Sequence, residues 1–178
     1  MKTAAGFALG AAIGTALFLT NMAPAQVLKG HDSSAPVNFS ADRIEVQDRA
    51  DRVVVSGNVQ VTQAGLTLNA ARMTVAYRNA GGVEIERIDA NGNVVVTKGN
   101  ETARGNAAIY DLNRRLITML GNVQLTQGSN RLTGGRLLID LNTGRSTVDG
   151  RAAAPGTTGA AGGRVSGTFT VPKRNGQQ

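Results

Sequence analysis

Three near-identical seven-residue segments constrain the fold of this chain more than any other feature of its sequence. Each begins Gly-Asn-Val and ends with Thr followed by Gln or Lys, and they start 35 and then 29 residues apart. A motif that returns at such a spacing indicates one supersecondary unit used several times in a fold. The three copies are residues 57–63, 92–98 and 121–127.

Each copy continues a run in which every second residue is apolar or glycine. In the first run these residues are Val53, Val55, Gly57, Val59 and Val61. A period of two predicts a strand with one buried face. The glycine on that face lacks a side chain, so we expect the strand to bend or bulge there. The Asn that follows it tolerates the backbone angles of a bulge.

A second kind of strand separates the copies. It opens with a small residue and has apolar side chains at alternate positions, and it occurs at 41–46, 70–77, 105–112 and 134–141. Turns rich in Gly, Asn and Asp lie between the strands. The sequence therefore predicts an all-β fold of repeated antiparallel strand pairs, with a sandwich, a barrel and an open jelly roll as the alternatives. Unpaired edges at its two ends would be open to strand addition.

The first 25 residues have the features of a secretory signal peptide. Lys2 provides the basic start, residues 4–19 are apolar, and Ala23-Pro24-Ala25 is an A-x-A cleavage pattern. We expect cleavage after Ala25 and export of the remainder. The alternative is that residues 1–25 are retained as a membrane anchor. Residues 26–35 are polar and predicted to be a flexible lead-in, which places His31, the only His of the chain, in solvent.

The remaining sequence divides at about residue 150. Residues 36–150 contain the repeats and are predicted to form the folded domain. Residues 151–178 form a Gly/Ala-rich linker and C-terminal tail, in which residues 165–171 could add one more strand.

The composition narrows the function classes. The chain has no Cys and one His, which leaves no Cys nucleophile, no His-based triad and no His/Cys metal cluster. We therefore predict no catalytic residues, no metal and no cofactor, with glycosidase chemistry by carboxylates such as Asp89 and Asp149 as the remaining enzymatic alternative. The formal charge of +7 favours anionic partners, but the scarcity of aromatic residues argues against nucleic acid.

Three stretches of sequence resemble the OstA-like family of lipopolysaccharide-transport proteins. They are PVNFSAD at 36–42, SGNVQVTQ at 56–63 and LTLNA at 66–70. The resemblance extends from about Pro36 to Gly150. Because it has a predicted signal peptide, the chain is more similar to the periplasmic bridge member of the family than to members with an inner-membrane anchor or an outer-membrane barrel.

The resemblance implies a twisted, V-shaped open β-jelly roll with a groove for lipid A and no catalytic residue. It also implies transport of lipopolysaccharide from the inner to the outer membrane. The implied partners are the inner-membrane-anchored and outer-membrane jelly-roll proteins of the same system, together with head-to-tail association of the chain with itself.

Apolar residues on the inner strand faces are the candidates for contact with lipid. The same residues could instead pack a closed core, so a β scaffold that binds no lipid remains an alternative, as does a membrane-anchored partner of the same fold. We expect about half of the candidates to contact lipid, from burial on one face. The predicted lipid-binding residues are Val37, Phe39, Ile44, Val46, Val55, Val59, Met73, Val75, Val96, Tyr110, Leu112, Met119, Val123 and Ile139.

Overall fold

The structure, a computed structural model, describes residues 31–79, 81–150 and 163–170 of the 178-residue chain. The predicted signal peptide lies outside these residues, as do residues 26–30, 151–162 and 171–178. In the described part, no helix is long and apolar enough to cross a membrane. The strands are β1 (Asn38–Ser40), β2 (Arg43–Gln47), β3 (Arg52–Gln63), β4 (Leu66–Asn79), β5 (Val83–Lys98), β6 (Glu101–Asp111), β7 (Leu116–Gln127), β8 (Asn130–Asp140), β9 (Arg145–Asp149) and β10 (Ser166–Thr168), with one 3-10 turn at Asp48–Ala50.

All ten strands belong to one antiparallel sheet, in which β3 to β8 are neighbours in sequence order. At one end β2 pairs with the first half of β3, and β1 pairs with its second half. At the other end β9 and β10 pair in the same way with the two halves of β8. The sheet is therefore open, and each of its ends has two short edge strands in place of a long one.

The long strands bend at the repeated Gly-Asn pairs. Gly57 and Asn58 have φ values of 77° and 46°, and the equivalent pairs at 92–93 and 121–122 also have positive φ. The β3–β4 pair changes register between Ser56 and Val59 at this point. A side chain on Gly57 would also overlap the Asp42 carboxylate, so both the backbone angle and the close approach require glycine. The predicted bends are confirmed.

The aligned bulges divide the sheet into two arms that face each other. The first arm contains β2, β9, the first halves of β3, β5 and β7, and the second halves of β4, β6 and β8. The second arm contains β1, β10 and the other halves. Apolar side chains at alternate positions of both arms form one buried cluster, which includes Val55, Val59, Met73, Met119 and Val123. The predicted all-β class and V-shaped open jelly roll are confirmed.

Candidate functional site

The structure divides the predicted lipid-binding residues into three groups. Phe39, Ile44 and Val46 are 46 %, 51 % and 60 % exposed, and lie on β1 and β2 at the N-terminal edge of the sheet. Val37 and Leu112 are partly buried and pack against the cluster between the arms. The other nine are buried within that cluster: Val55, Val59, Met73, Val75, Val96, Tyr110, Met119, Val123 and Ile139.

The inner face is thus packed along most of its length in this conformation. Met73, Met119 and Ile139 are 0 % exposed, and side chains packed in this way act as a hydrophobic core.

An apolar cavity of about 310 Å³ lies between the arms at the N-terminal edge. Phe39 reaches it from β1 in the second arm, and Val46 and Val55 line it from the first arm. Its size is at the lower end of ligand pockets. The complete lining is Phe39, Val46, Asp48, Val53, Val55, Val75, Tyr77, Val83 and Ile85.

Several residues that line this cavity are not among the predicted lipid-binding residues. Val53 and Tyr77 lie on faces that the period of two predicts to be inward, so that signal was sufficient to find them. Val83 and Ile85 precede a register change between Ala76 and Tyr77 in the β4–β5 pair, and their alternation is out of step with the later part of β5. A bulge of this kind shifts the alternation by one residue. The shift between Ile85 and Ile88 is visible in the sequence, but by itself it does not show that both residues face the interior.

The prediction that His31 lies in solvent is wrong. The residue is 8 % exposed, and its Nε2 lies 3.1 Å from Oε1 of Gln63 and 3.2 Å from the Tyr110 hydroxyl. Gln63 ends β3 in the second arm, whereas Tyr110 lies near the end of β6 in the first arm. The imidazole therefore bridges the two arms.

Residues 31–35, which we call the strap, lie against both arms at this bridge. The side-chain amide of Gln63 donates to the backbone oxygens of Ser33 and Ala35, each at 2.9 Å. The Tyr110 hydroxyl donates to Oε1 of Gln63 at 2.8 Å and lies 3.5 Å from the Ser33 hydroxyl. Polar contacts hold the strap, in contrast to the apolar packing beneath it.

The imidazole of His31 is neutral at neutral pH. Burial lowers the pKa of His31, and the nearby Lys98 charge lowers it further, whereas the Gln63 hydrogen bond and the Asp32 charge raise it. A ring protonated on Nε2 can donate to Gln63 or to Tyr110. The other nitrogen, Nδ1, has no hydrogen-bond partner within the described residues.

The Tyr110 side chain joins a polar and an apolar environment. Burial raises the pKa of its phenol, and this effect outweighs the Ser33 hydrogen bond and the Arg115 charge, which lower it. The hydroxyl therefore stays protonated and can donate a hydrogen bond at neutral pH. The residue is 2 % exposed and belongs to the cluster between the arms, so it marks the boundary between the apolar interior and the polar bridge.

The third repeat copy provides an internal comparison for Gln63. Gln127 occupies the same position of its copy and also ends its strand. Its amide donates to Oε1 of Glu101 at 2.6 Å. The glutamine at this repeat position thus binds the strap in β3, whereas in β7 it donates a hydrogen bond to a carboxylate of the neighbouring strand.

The carboxylates considered for hydrolysis are not arranged as a catalytic pair. Asp89 on β5 contacts Arg87 at 2.6 Å, and Asp149 on β9 contacts Arg136 at 3.8 Å. Three strands separate β5 from β9 in the sheet. Nowhere in residues 31–79, 81–150 and 163–170 do three or more His, Cys, Asp or Glu side chains group in a way that could hold a metal ion.

Comparisons with known proteins agree with this architecture. A sequence model of the family described as "LptA/(LptD N-terminal domain) LPS transport protein" matches residues 38–145. The crystal structure of LptH, the LptA-homologous periplasmic component of the lipopolysaccharide-transport device of Pseudomonas aeruginosa, superposes with a TM-score of 0.68 at 17 % identity. The superposition covers 79 % of this chain and 99 % of LptH.

A curated relative matches a shorter part of the chain. It is an uncharacterized protein of Rhizobium meliloti (strain 1021), 31 % identical over 90 residues, which are 47 % of this chain and 48 % of the relative. The chain thus spans about half the length of that protein.

The family match covers more than half of the chain, and the similarity to LptH shows the fold. The role that the family description names is transport, which agrees with the prediction of a non-enzymatic protein. The predicted OstA-like resemblance is also confirmed. This chain therefore belongs to the LptA/LptD N-terminal-domain family of lipopolysaccharide-transport proteins.

Proposed function

We propose that this chain is a periplasmic lipopolysaccharide-binding bridge protein that carries lipopolysaccharide from the inner to the outer membrane. The supporting observation is the apolar cavity between the arms, which is open at the N-terminal edge and continues into the buried cluster through Val55 and Val75. Phe39 and Val46 border it and are about half exposed, so an acyl chain could make its first contacts there.

The physical need for such a cavity comes from the acyl chains of the lipid. Exposure of one CH₂ to water costs about 0.8 kcal/mol, so a chain of about twelve carbons costs about 10 kcal/mol. An apolar inner face offsets this cost without directional contacts, and a lipid held in this way can slide. The formal charge is +7 for the full sequence, and +6 without Lys2 of the leader, and it favours the anionic sugar phosphates that stay outside.

Both ends of the sheet support joining to other jelly rolls. Each end has one five-residue strand, β2 or β9, and one three-residue strand, β1 or β10. Pairing between such edges would extend the inner face from one molecule to the next. The proposed neighbours are a second copy, joined head to tail, and the inner-membrane-anchored and outer-membrane jelly-roll proteins of the same system.

Photo-crosslinking in cells tests lipid binding. A photoreactive residue at Phe39, at Val59 or at Val123 should capture lipopolysaccharide, because all three face the interior. Ser40, the exposed neighbour of Phe39 on β1, is the matched control and should give no adduct. Folded protein without an adduct at any inward position would contradict the proposal and favour a scaffold that binds no lipid.

The export proposal has a separate test. If the leader is cleaved, mass spectrometry of the protein from the cell envelope should find a mature chain that begins at Gln26. A chain that retains residues 1–25 would instead identify the membrane-anchored partner of the same fold.

A further inference from the structure

We propose that the strap is a displaceable cover over a polar head-group site formed by Gln63 and Tyr110. A lipid whose head group has hydroxyl and amide groups would open the space between the arms by taking the place of the strap. This inference rests on the proposed function, because it specifies how the lipid enters.

The contacts of the strap are of the kind that a ligand can replace. Gln63 donates to two backbone oxygens of the strap, at Ser33 and Ala35, and His31 lies within hydrogen-bond distance of both arms. The strap sequence, His-Asp-Ser-Ser-Ala, has no large aliphatic side chain. Hydrogen bonds contribute little net stability when another partner can take over, so a ligand that supplies equivalent acceptors can replace the strap at small cost.

The groups beneath the strap need partners when it leaves. Gln63 and Tyr110 are each 2 % exposed with the strap in place. When the strap leaves, the Gln63 amide loses both of its backbone acceptors and has to find new ones. Sugar hydroxyls and the amide carbonyls that attach acyl chains are acceptors like the strap's own backbone oxygens. A head group with such acceptors can therefore restore the hydrogen bonds that the strap made.

The position of Tyr110 couples the head group to the acyl chains. Its ring belongs to the apolar cluster, while its hydroxyl contacts Gln63 and His31. An amphipathic lipid has the same polar-to-apolar boundary. A head group at the hydroxyl would thus place acyl chains beside the ring, where the strap had joined the two arms.

A spin label on the strap tests displacement directly. Because the chain has no Cys, Ser34→Cys gives one attachment point at an exposed residue. Purified lipopolysaccharide should increase the mobility of this label, whereas dodecanoate, which has a single chain and no sugar, should not. Ser129→Cys, at an exposed residue of the β7–β8 turn, is the control, and its label should not respond. Release of the strap by dodecanoate alone would overturn the head-group site.

Two substitutions separate the strap from the site that it covers. His31→Ala removes the bridge but leaves Gln63 and Tyr110, so lipopolysaccharide should associate on the order of tenfold faster. Gln63→Leu frees the strap and also removes the head-group donor, so affinity should fall on the order of tenfold. Gln127→Leu, the same change at the equivalent repeat position, should alter neither rate nor affinity. Equal behaviour of the Gln63 and Gln127 variants would overturn the proposal.

Binding and strap release are measured independently, so their failures are distinguishable. If lipopolysaccharide co-sediments with the labelled full chain while the Ser34 label stays immobile, the strap proposal is overturned and the proposed function stands. If neither the native chain nor the His31→Ala variant binds lipopolysaccharide, the proposed function itself fails.

Discussion

The space between the two arms is built differently at two places. At the N-terminal edge, apolar side chains such as Phe39 and Val46 line an open cavity. At Gln63 and Tyr110, polar groups bridge the arms beneath the strap. Apolar burial is non-directional and accepts any apolar partner, whereas a buried hydrogen bond requires a partner of defined geometry. The open cavity is therefore the part of the molecule that we propose for acyl chains, and the polar bridge is the part that we propose for the head group.

The largest effect is expected when the stability of a variant in the packed interior is compared with that of a variant in the open cavity. Ile139→Ala, at a fully buried position, should lower the free energy of unfolding by about 2–5 kcal/mol. Val46→Ala, at a cavity residue that is 60 % exposed, should lower it by less than about 0.5 kcal/mol. Denaturant unfolding of both variants measures the difference. Equal losses would show that the cavity lining is as much a part of the core as Ile139.

The second prediction concerns the stability cost of a substitution at the bend that separates the two arms. Gly121 has a φ of 76°, and a side chain there would lie 2.7 Å from the Asn106 amide nitrogen. Gly121→Ala should therefore destabilise the fold by about 2 kcal/mol, from the backbone angle and the close contact together. Gly128→Ala, where φ is 55° with no neighbour within 4 Å, isolates the backbone effect at about 1 kcal/mol. Thermal unfolding compares the two, and a larger loss at Gly128 would contradict this explanation of the bend.

Removal of the Tyr110 hydroxyl weakens the polar bridge without a change in apolar packing. Tyr110→Phe keeps the ring in the cluster and removes the hydroxyl, which contacts Gln63, His31 and Ser33. The expected cost is about 1–2 kcal/mol. Amide hydrogen exchange should increase in residues 31–35, while that of β7 stays unchanged. Faster exchange spread evenly over both regions would show that the hydroxyl supports the whole fold instead of the strap.

The smallest expected effect is the response of the strap to pH. The pKa of His31 is lowered where it is docked, so the released strap binds a proton more readily. Docking should be fully stable above the ordinary pKa of His, about 6.5, and weaken as pH falls below it. The Ser34 spin label measures this between pH 8 and pH 5.

His31→Gln is the control for this pH response, because its side chain does not titrate. If the His31→Gln variant kept the same pH dependence, the response would not arise from His31 and this explanation would be wrong.

Much of the fold could be predicted because its signals are local. Alternating apolar residues around Val55 and Val59 reflect the period of a strand, and the Gly57-Asn58 pair reflects the backbone angles of a bulge within two residues. Val83 and Ile85 show where this reasoning fails. Their alternation is one residue out of step with that of Ile88, but only the pairing of β5 with β4 places a bulge at this point and directs both residues into the cavity.

The strands, their bends and the apolar inner face follow from local sequence, because backbone geometry and side-chain alternation act over a few neighbouring residues. How much of that face is packed and how much is open depends on the distance between the arms, which is a property of the folded molecule. The same holds for the role of His31, whose partners Gln63 and Tyr110 are 32 and 79 residues away along the chain. A hydrogen bond between two arms exists only after the bends have brought them together.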